Sequence, residues 1–149
     1  MIAYLDASVV LRLVLGEPGH LREWDRVHEG VASALTEVEC LRTLDRLHQL
    51  GRLTADVVAE RRAAVYSLLE AVEVMDVSRA VLRRASEPFP TALGTLDAIH
   101  LAAAMAWREQ RGSGLTFATH DNVLALAAQA TGFSVIGGEA PVSRRVIGT

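Results

Sequence analysis

The sequence predicts an α/β fold, a three-layer α/β/α sandwich around a mostly parallel five-stranded sheet. Short apolar segments rich in β-branched residues alternate with longer segments of helical periodicity along the chain. Hydrophobic residues make up 50% of the sequence, which is enough for a sizeable core. The 149 residues contain no internal repeat or linker and fit a single domain over 1–149, with only the tail at 138–149 expected to be loose.

Five segments are predicted to be strands. "IAYL" is a short apolar run before an acid, "GVASAL" consists mainly of small residues, and "VEVMDV" alternates between apolar and polar residues. "LTFAT" and "FSVIG" are rich in β-formers and lie next to glycines. The predicted strands span 2–5, 30–35, 72–77, 115–119 and 133–137.

Seven helices are predicted between these strands from apolar residues spaced three and four apart and from start and stop signals. We expect the apolar stripe of the third helix to consist of Leu35, Val38, Leu41 and Leu44. The predicted helices span 8–15, 20–28, 35–50, 54–70, 78–87, 94–111 and 121–131.

Composition and charge exclude several classes of protein. The net charge of −3 argues against a nucleic-acid binder that relies on charge alone. All 15 basic residues are arginine, so any mechanism that requires a lysine is excluded. The single cysteine, Cys40, excludes an internal disulfide and fits a reducing compartment. We expect a cytoplasmic protein without membrane contact, because the sequence shows neither a membrane span nor a signal peptide.

Acidic residues follow several of the predicted strands, where open parallel sheets bind their ligands. Asp6 comes directly after the first strand, and Asp121 follows the fourth. Glu37 and Glu39 come after the second strand, across the start of a helix. Asp97 lies in the first turn of the helix at 94–111, among apolar neighbours. The carboxyl ends of the strands can therefore bring these acids to one edge of the sheet.

Each of these acids also has a structural explanation when taken alone. Asp6 and Asp121 suit the N-cap positions of helices. Asp97 follows Thr95, an expected N-cap, and an acid in the first turn is stabilised by the helix dipole. The glutamates suit a solvated face with ion pairs to arginine, and helical periodicity does not choose between Glu37 and Glu39.

The joint pattern favours a metal site. Like charges gathered at one edge destabilise a fold unless a cation neutralises them, and Mg²⁺ prefers carboxylate and water oxygens. Such a cation can lower the pKa of a bound water and polarise a phosphoryl group. A carboxylate cluster without lysine or a phosphate-binding loop therefore suggests metal-assisted hydrolysis of phosphodiesters.

Two histidines lie beside these acids. His100 follows Asp97 by one helical turn, and we expect it to be a satisfied interior residue or a supporting partner of that acid rather than a ligand. His120 precedes Asp121 and is expected to face solvent, with RNA contact as the alternative. A metal-independent nuclease would use two histidines as acid and base, but their spacing does not support this.

Three other classes with acidic or phosphate-binding sites fit less well. Phosphoacceptor receiver domains need a lysine, which is absent. Haloacid-dehalogenase-like hydrolases would have a second aspartate two residues after the first, where this chain has Ser8. Dinucleotide binding would place G-x-G-x-x-G after the first strand, and "DASVVL" has no glycine.

Four segments, in order and over nearly the whole chain, resemble the acidic motifs of PIN-domain ribonucleases, most closely the VapC-type toxins of bacterial toxin–antitoxin systems. These segments are "YLDASVVLRL", "SALTEVECLRTL", "LGTLDAIHLAAA" and "FATHDNVLALAA". The resemblance implies a Mg²⁺- or Mn²⁺-dependent endoribonuclease with an α/β/α fold. The implied acidic quartet consists of Asp6, Glu39, Asp97 and Asp121.

The resemblance also assigns roles within this quartet. Asp6 and Asp97 would be the core metal ligands, and the fourth position, Asp121, is more variable in the family. Glu39 is preferred over Glu37 because of its position after the serine of the motif. The hydroxyl groups of Ser8 and Thr119 resemble those that orient the neighbouring acids.

Partners follow from the same resemblance: an RNA substrate, a cognate antitoxin and a second copy in a homodimer. Arg42 and Arg46 share a polar stripe with Glu39 and are candidate RNA contacts. The predicted helices over 8–28 and 35–70 carry leucine and valine beside arginine, which would suit a partner helix or ordinary core packing. The alternative function is a PIN-like binding or scaffold module with a weak or silent site.

Overall fold

The computed structural model describes residues 1–112 and 114–138, so the predicted tail beyond Gly138 lies outside the described residues. The strands are β1 (Ile2–Leu5), β2 (Glu29–Ser33), β3 (Glu73–Met75), β4 (Leu115–Ala118) and β5 (Ser134–Ile136). The helices are α1 (Ala7–Leu15), α2 (Ala34–Gln49), α3 (Ala55–Glu70), α4 (Arg79–Ala85), α5 (Thr95–Arg111) and α6 (Asn122–Ala130).

The strands form one parallel sheet with the order β3-β2-β1-β4-β5, which confirms the predicted fold class. β1 is the central strand, and it pairs with β2 on one side and β4 on the other. All carboxyl ends therefore point to the same edge. This edge combines the residues that follow the first strand of the chain with those that follow the fourth.

Helices cover both faces of the sheet, and β1 contributes to a core on each side. Tyr4 packs with Phe117 and Leu101 in the core that includes α5 and α6. Leu5, on the opposite face, packs in the core formed with α1, α2 and α3, where Leu44 is fully buried. Within the described ranges, none of the helices has the length and apolar character needed to cross a bilayer.

The predicted helix at 20–28 is wrong. The structure has a single 3₁₀ turn there, Trp24–Arg26, preceded by the buried anchor Leu21. The backbone N–H of His28 already donates to the carbonyl of Met1, 3.1 Å away, as the chain enters the sheet. Between the buried Leu21 and the extended backbone at His28, too few residues remain for an α-helix. The other predicted elements exist, with ends displaced by at most two residues.

The predicted apolar stripe of α2 is also partly wrong, because Val38 is 56% exposed. The helix instead buries Thr36, Cys40 and Leu44, which are spaced four apart and lie on one face. The small residues on this face suit close packing against α1 and α3, so the buried stripe is rotated away from the one that hydrophobicity predicts.

Gly30 marks a close approach between β2 and the residue that precedes β3. A Cβ atom at this position would lie 2.5 Å from Val72 Cγ1 and 3.2 Å from Leu5 Cδ1. We expect Gly30→Ala to lower the free energy of unfolding by about 1–3 kcal/mol through overpacking, measured by urea or thermal denaturation. Val72→Ala is the matched control, because the double variant should lose less stability than the two single variants together. Additive losses would contradict this steric explanation.

Candidate metal centre

Asp6 occupies the N-cap of α1 directly after β1, and each of its two carboxylate oxygens has a polar neighbour. Its Oδ2 accepts hydrogen bonds from Ser8 Oγ at 2.6 Å and from Thr119 Oγ1 at 3.0 Å. Its Oδ1 lies 3.6 Å from His100 Nε2. The residue is only 5% exposed. The capping explanation and a functional role are therefore compatible, because the hydrogen bonds to Oδ2 orient Oδ1.

Ser8 and Thr119 join the ends of β1 and β4. Ser8 Oγ accepts from the backbone N–H of His120 at 3.0 Å, and Thr119 Oγ1 accepts from that of Asp121 at 3.0 Å. Both hydroxyls also donate to Asp6. Each hydroxyl therefore uses its donor on the carboxylate and its acceptor on the backbone, which fixes the carboxylate relative to two strands.

Glu39 reaches the same place from α2. Its Oε2 lies 2.5 Å from His100 Nε2, and one ligand atom each of Asp6, Glu39 and His100 lie within 4.8 Å of one another. Glu37 is exposed on the same helix. Of the two glutamates that periodicity left open, Glu39 is therefore the one whose carboxylate lies close to Asp6 and His100.

Asp97 lies in the first turn of α5, one turn before His100. The N-cap of this helix is Gly94, so the expected cap at Thr95 is wrong. Burial raises the pKa of Asp97 to about 6, and the negative charges of Asp121, Asp6 and Glu39 add to this effect. The charges of the other three acids act on Asp97, but it is not part of the group formed by Asp6, Glu39 and His100, whose ligand atoms lie within 4.8 Å of one another.

Asp121 is the N-cap of α6, as its structural explanation requires. Its Oδ1 accepts from the backbone N–H groups of Val123 at 2.8 Å and Leu124 at 3.0 Å. The residue is exposed. It acts on Asp97 through its charge, whereas the tight cluster consists of Asp6, Glu39 and His100.

His100 is buried, at 1% exposure, between carboxylates and hydroxyls. Its Nδ1 lies 2.9 Å from the Tyr4 hydroxyl and 3.5 Å from Ser33 Oγ. Burial by itself lowers the pKa of an imidazole, but the hydrogen bond to Glu39 and the nearby acidic charges outweigh it, so the pKa of His100 is raised. The acidic groups around His100 thus favour its protonated form.

His120 does not simply face solvent, contrary to expectation. Its Nδ1 lies 2.9 Å from the carbonyl of Gly137, and since a carbonyl only accepts, Nδ1 carries the proton. Burial lowers the pKa of His120. This histidine therefore connects the end of β4 to the end of β5 through a hydrogen bond.

A groove of about 420 Å³ opens beside Glu39 along α2. Arg42 is held by an ion pair with Asp45 at 2.9 Å, whereas Arg46 is exposed one turn further along. Leu96, in the first turn of α5, is 49% exposed and contributes an apolar patch. The lining of the groove consists of Glu39, Arg42, Thr43, Arg46, Gln49 and Leu96.

The oxygen-rich donor set suits a hard divalent cation. Carboxylates are the ligands that Mg²⁺ and Mn²⁺ prefer. Asp6 offers Oδ1, Glu39 offers a half-buried carboxylate, and Asp97 has a pKa raised by burial and by the acids around it. These acids therefore fit such an ion.

Sequence reasoning missed Tyr4 and Ser33 as partners of His100. Strand side chains alternate between faces, and Tyr4 precedes Asp6 by two residues. That spacing could have placed Tyr4 on the side of the sheet that α5 covers. Nothing in the sequence indicates that its hydroxyl meets His100, since the two residues are 96 positions apart.

Comparison with known proteins agrees with this architecture. The family model of the PIN domain matches residues 3–130. Ribonuclease VapC46 of Mycobacterium tuberculosis is 34% identical over 136 residues, which cover 89% of this chain and 95% of that protein. The match to the PIN-domain model spans all the acidic segments that carry the predicted resemblance.

Two solved structures share the fold at low sequence identity. A toxin–antitoxin complex from Klebsiella pneumoniae contains a chain with a TM-score of 0.59 and 16% identity, covering 84% of this chain and 91% of that one. VapBC2 from Rickettsia felis, solved bound to a DNA fragment from its promoter, gives a TM-score of 0.60 at 14% identity. This match covers 91% of this chain and 97% of that one. The predicted resemblance is therefore confirmed, and the chain belongs to the PIN-domain family, among the VapC ribonucleases.

Proposed function

We propose that this protein is a Mg²⁺- or Mn²⁺-dependent endoribonuclease and the toxin of a toxin–antitoxin pair. The observation that carries the proposal is the convergence of Asp6, Glu39 and His100, from three separate elements, within 4.8 Å of one another. Family membership supports the reaction, since the relative from M. tuberculosis is named a ribonuclease. The scaffold alternative is not favoured, because the acids are all present and Asp6 is held in a defined orientation.

In this proposal, Asp6 and Asp97 hold the metal, with Glu39 and Asp121 completing the acidic site. When bound, the cation would supply an activated water and stabilise negative charge on the phosphodiester. The protein's own contribution is orientation: Ser8 and Thr119 donate to Oδ2 of Asp6 and leave Oδ1 directed into the site. No side chain needs to act as a nucleophile.

RNA contacts are proposed along the groove beside Glu39. The protein carries a net charge of −3, so attraction to phosphates must be local. Arg46 is exposed in this groove, and Arg42 is held by Asp45. Arginine suits bidentate contacts with phosphate. We therefore assign RNA contact to Arg42 and Arg46, with the greater share on Arg46.

A cognate antitoxin and a second copy of the chain are the proposed protein partners. The structural neighbour from K. pneumoniae was solved as a toxin–antitoxin complex, which supports the first. Apolar side chains such as Val38 on α2 and Leu126 on α6 are more than half exposed and offer contact area for either partner. The homodimer rests on the family resemblance.

Asp6→Asn and Asp97→Asn should each reduce metal-dependent RNA cleavage by more than about 100-fold, since each removes charge that the cation requires. Cleavage is measured with Mg²⁺ or Mn²⁺, with EDTA as the metal-free control. Glu37→Gln is the matched variant, because this exposed glutamate lies on α2 and should leave activity unchanged. Metal-independent cleavage that survives both aspartate substitutions would contradict the proposal.

Asp97→Asn should stabilise the metal-free protein at neutral pH. The pKa of Asp97 rises from 3.8 to about 6 on folding, so its charged form opposes folding as pH increases from about 4 to 6, and fully above pH 6. With allowance for solvent screening of this half-exposed group, the variant should gain about 1 kcal/mol in free energy of unfolding at pH 7.5. The gain should vanish below pH 4.

Denaturation with Mn²⁺ separates this effect from nonspecific stabilisation. The wild-type protein should gain stability when Mn²⁺ is added, because the cation binds the folded state and relieves repulsion. Asp97→Asn should gain much less. A variant that is no more stable than wild type at pH 7.5 without metal would contradict the proposed charge repulsion.

Arg46→Ala should weaken RNA binding about three- to tenfold at low salt, with a difference that shrinks as salt increases, because phosphate contacts release counterions. Binding is measured by fluorescence anisotropy with RNA in EDTA, so that cleavage does not interfere. Arg83→Ala is the control, since this exposed arginine lines a different cavity beside α4. Equal effects of both substitutions would argue against the groove as the RNA site.

A further inference from the structure

We propose that Tyr4 is a positioning residue for the metal centre and acts through His100 on the carboxylates of Glu39 and Asp6. The proposal rests on the proposed function, because the carboxylates it orients are the metal ligands assigned there. Tyr4 itself touches neither carboxylate within the described hydrogen bonds. It would act by holding the imidazole that contacts both.

Packing fixes the Tyr4 ring independently of the contact that its hydroxyl makes. Tyr4 is fully buried on the central strand and stacks on Phe117, with ring centroids 5.0 Å apart. Its hydroxyl lies 2.9 Å from His100 Nδ1, and the two rings meet edge to face. A buried hydroxyl is costly to leave without a partner, and both the His100 ring and Ser33 lie within reach of this one.

His100 acts as a donor at its other nitrogen. Nε2 lies 2.5 Å from Glu39 Oε2 and 3.6 Å from Asp6 Oδ1, and ionised carboxylates only accept hydrogen bonds. Nε2 therefore carries a proton and has no lone pair for a cation. The imidazole serves to orient the carboxylates rather than to ligate.

The contact with Tyr4 suits either charge state of His100. A tyrosine hydroxyl both donates and accepts, so it can donate to a neutral Nδ1 or accept from a protonated one. In both states the proton on Nε2 points at Glu39. Ser33 Oγ, at 3.5 Å from Nδ1, is the weaker neighbour. Tyr4 is therefore the main anchor of the Nδ1 side of the ring.

The chain of contacts links three elements. Tyr4 lies on β1, His100 on α5 and Glu39 on α2, so the central strand sets the position of a carboxylate that belongs to a helix. Residues that hold the ligands of a metal contribute to affinity by orienting them in advance. Loss of the Tyr4 hydroxyl should then weaken metal binding without removing any ligand.

The test uses Tyr4→Phe, which keeps the stacked ring and removes only the hydroxyl. Affinity for Mn²⁺, measured by isothermal titration calorimetry, should fall about two- to tenfold, as expected for the loss of one hydrogen bond. Tyr66→Phe is the matched control, because Tyr66 is the other tyrosine and is 40% exposed on α3. The control should bind Mn²⁺ like wild type.

A double-variant cycle distinguishes positioning from a general effect on the fold. His100→Gln retains an N–H that can donate to Glu39 but lacks the ring nitrogen that meets Tyr4. In that background, Tyr4→Phe should have no further effect on Mn²⁺ affinity. An equal loss of affinity in both backgrounds would overturn the proposal, as would an unchanged affinity in Tyr4→Phe alone.

Nuclear magnetic resonance of the metal-free protein tests the contacts independently of metal binding. In wild type, the Nε2 proton of His100 should exchange slowly with solvent, and the Tyr4 hydroxyl proton should show a cross-peak to the His100 ring. In Tyr4→Phe, the Nε2 proton should exchange faster. Absence of the wild-type cross-peak would overturn the positioning role even if Tyr4→Phe fails to fold. Failure of wild type to bind Mn²⁺, with these contacts present, would instead count against the proposed function.

Discussion

The hydrogen bonds that hold Asp6 between Ser8 and Thr119 are the interaction on which the rest of this edge depends. They fix one carboxylate oxygen, connect the ends of β1 and β4, and direct the other oxygen towards His100. The backbone N–H groups of His120 and Asp121 bind the same two hydroxyls, so the start of α6 is set by the same contacts. One small network thus combines helix capping, strand alignment and presentation of a ligand.

Around this network the protein gathers negative charge that works against its own stability. Asp97 illustrates the conflict, because its burial and its acidic neighbours raise its pKa. The Nε2 proton of His100 contacts the carboxylate of Glu39, and the two hydrophobic cores on either side of the sheet contribute stability to the fold. Such local destabilisation at a site, supported by a robust scaffold, is the expected trade-off between function and stability.

Much of the fold could be predicted from the sequence, because the alternation of apolar and polar residues in strands and the spacing of apolar residues in helices are local signals. The edge shared by the acids followed from the rule that open parallel sheets bind ligands at the carboxyl ends of their strands, whereas the strand order was not predicted. The segment at 20–28 could not be read, since its conformation is set by pairing with Met1 and by the burial of Leu21. The exposure of Val38 and the contact of Tyr4 with His100 likewise depend on neighbours distant in sequence. The residue types and their order along the chain identified the candidate acids of the site. Their hydrogen-bond partners became visible only in the tertiary structure.

The pairing of β1 with β4 has a consequence for how the protein is made. Asp6 is synthesised 113 residues before Thr119, which directly follows β4. A nascent chain that has emerged only as far as α5 has the acids at positions 6, 39 and 97 and lacks the hydroxyl and strand that orient the first of them. The site is therefore assembled only after β4 has been synthesised, and a product terminated before β4 contains most of its acids without their arrangement.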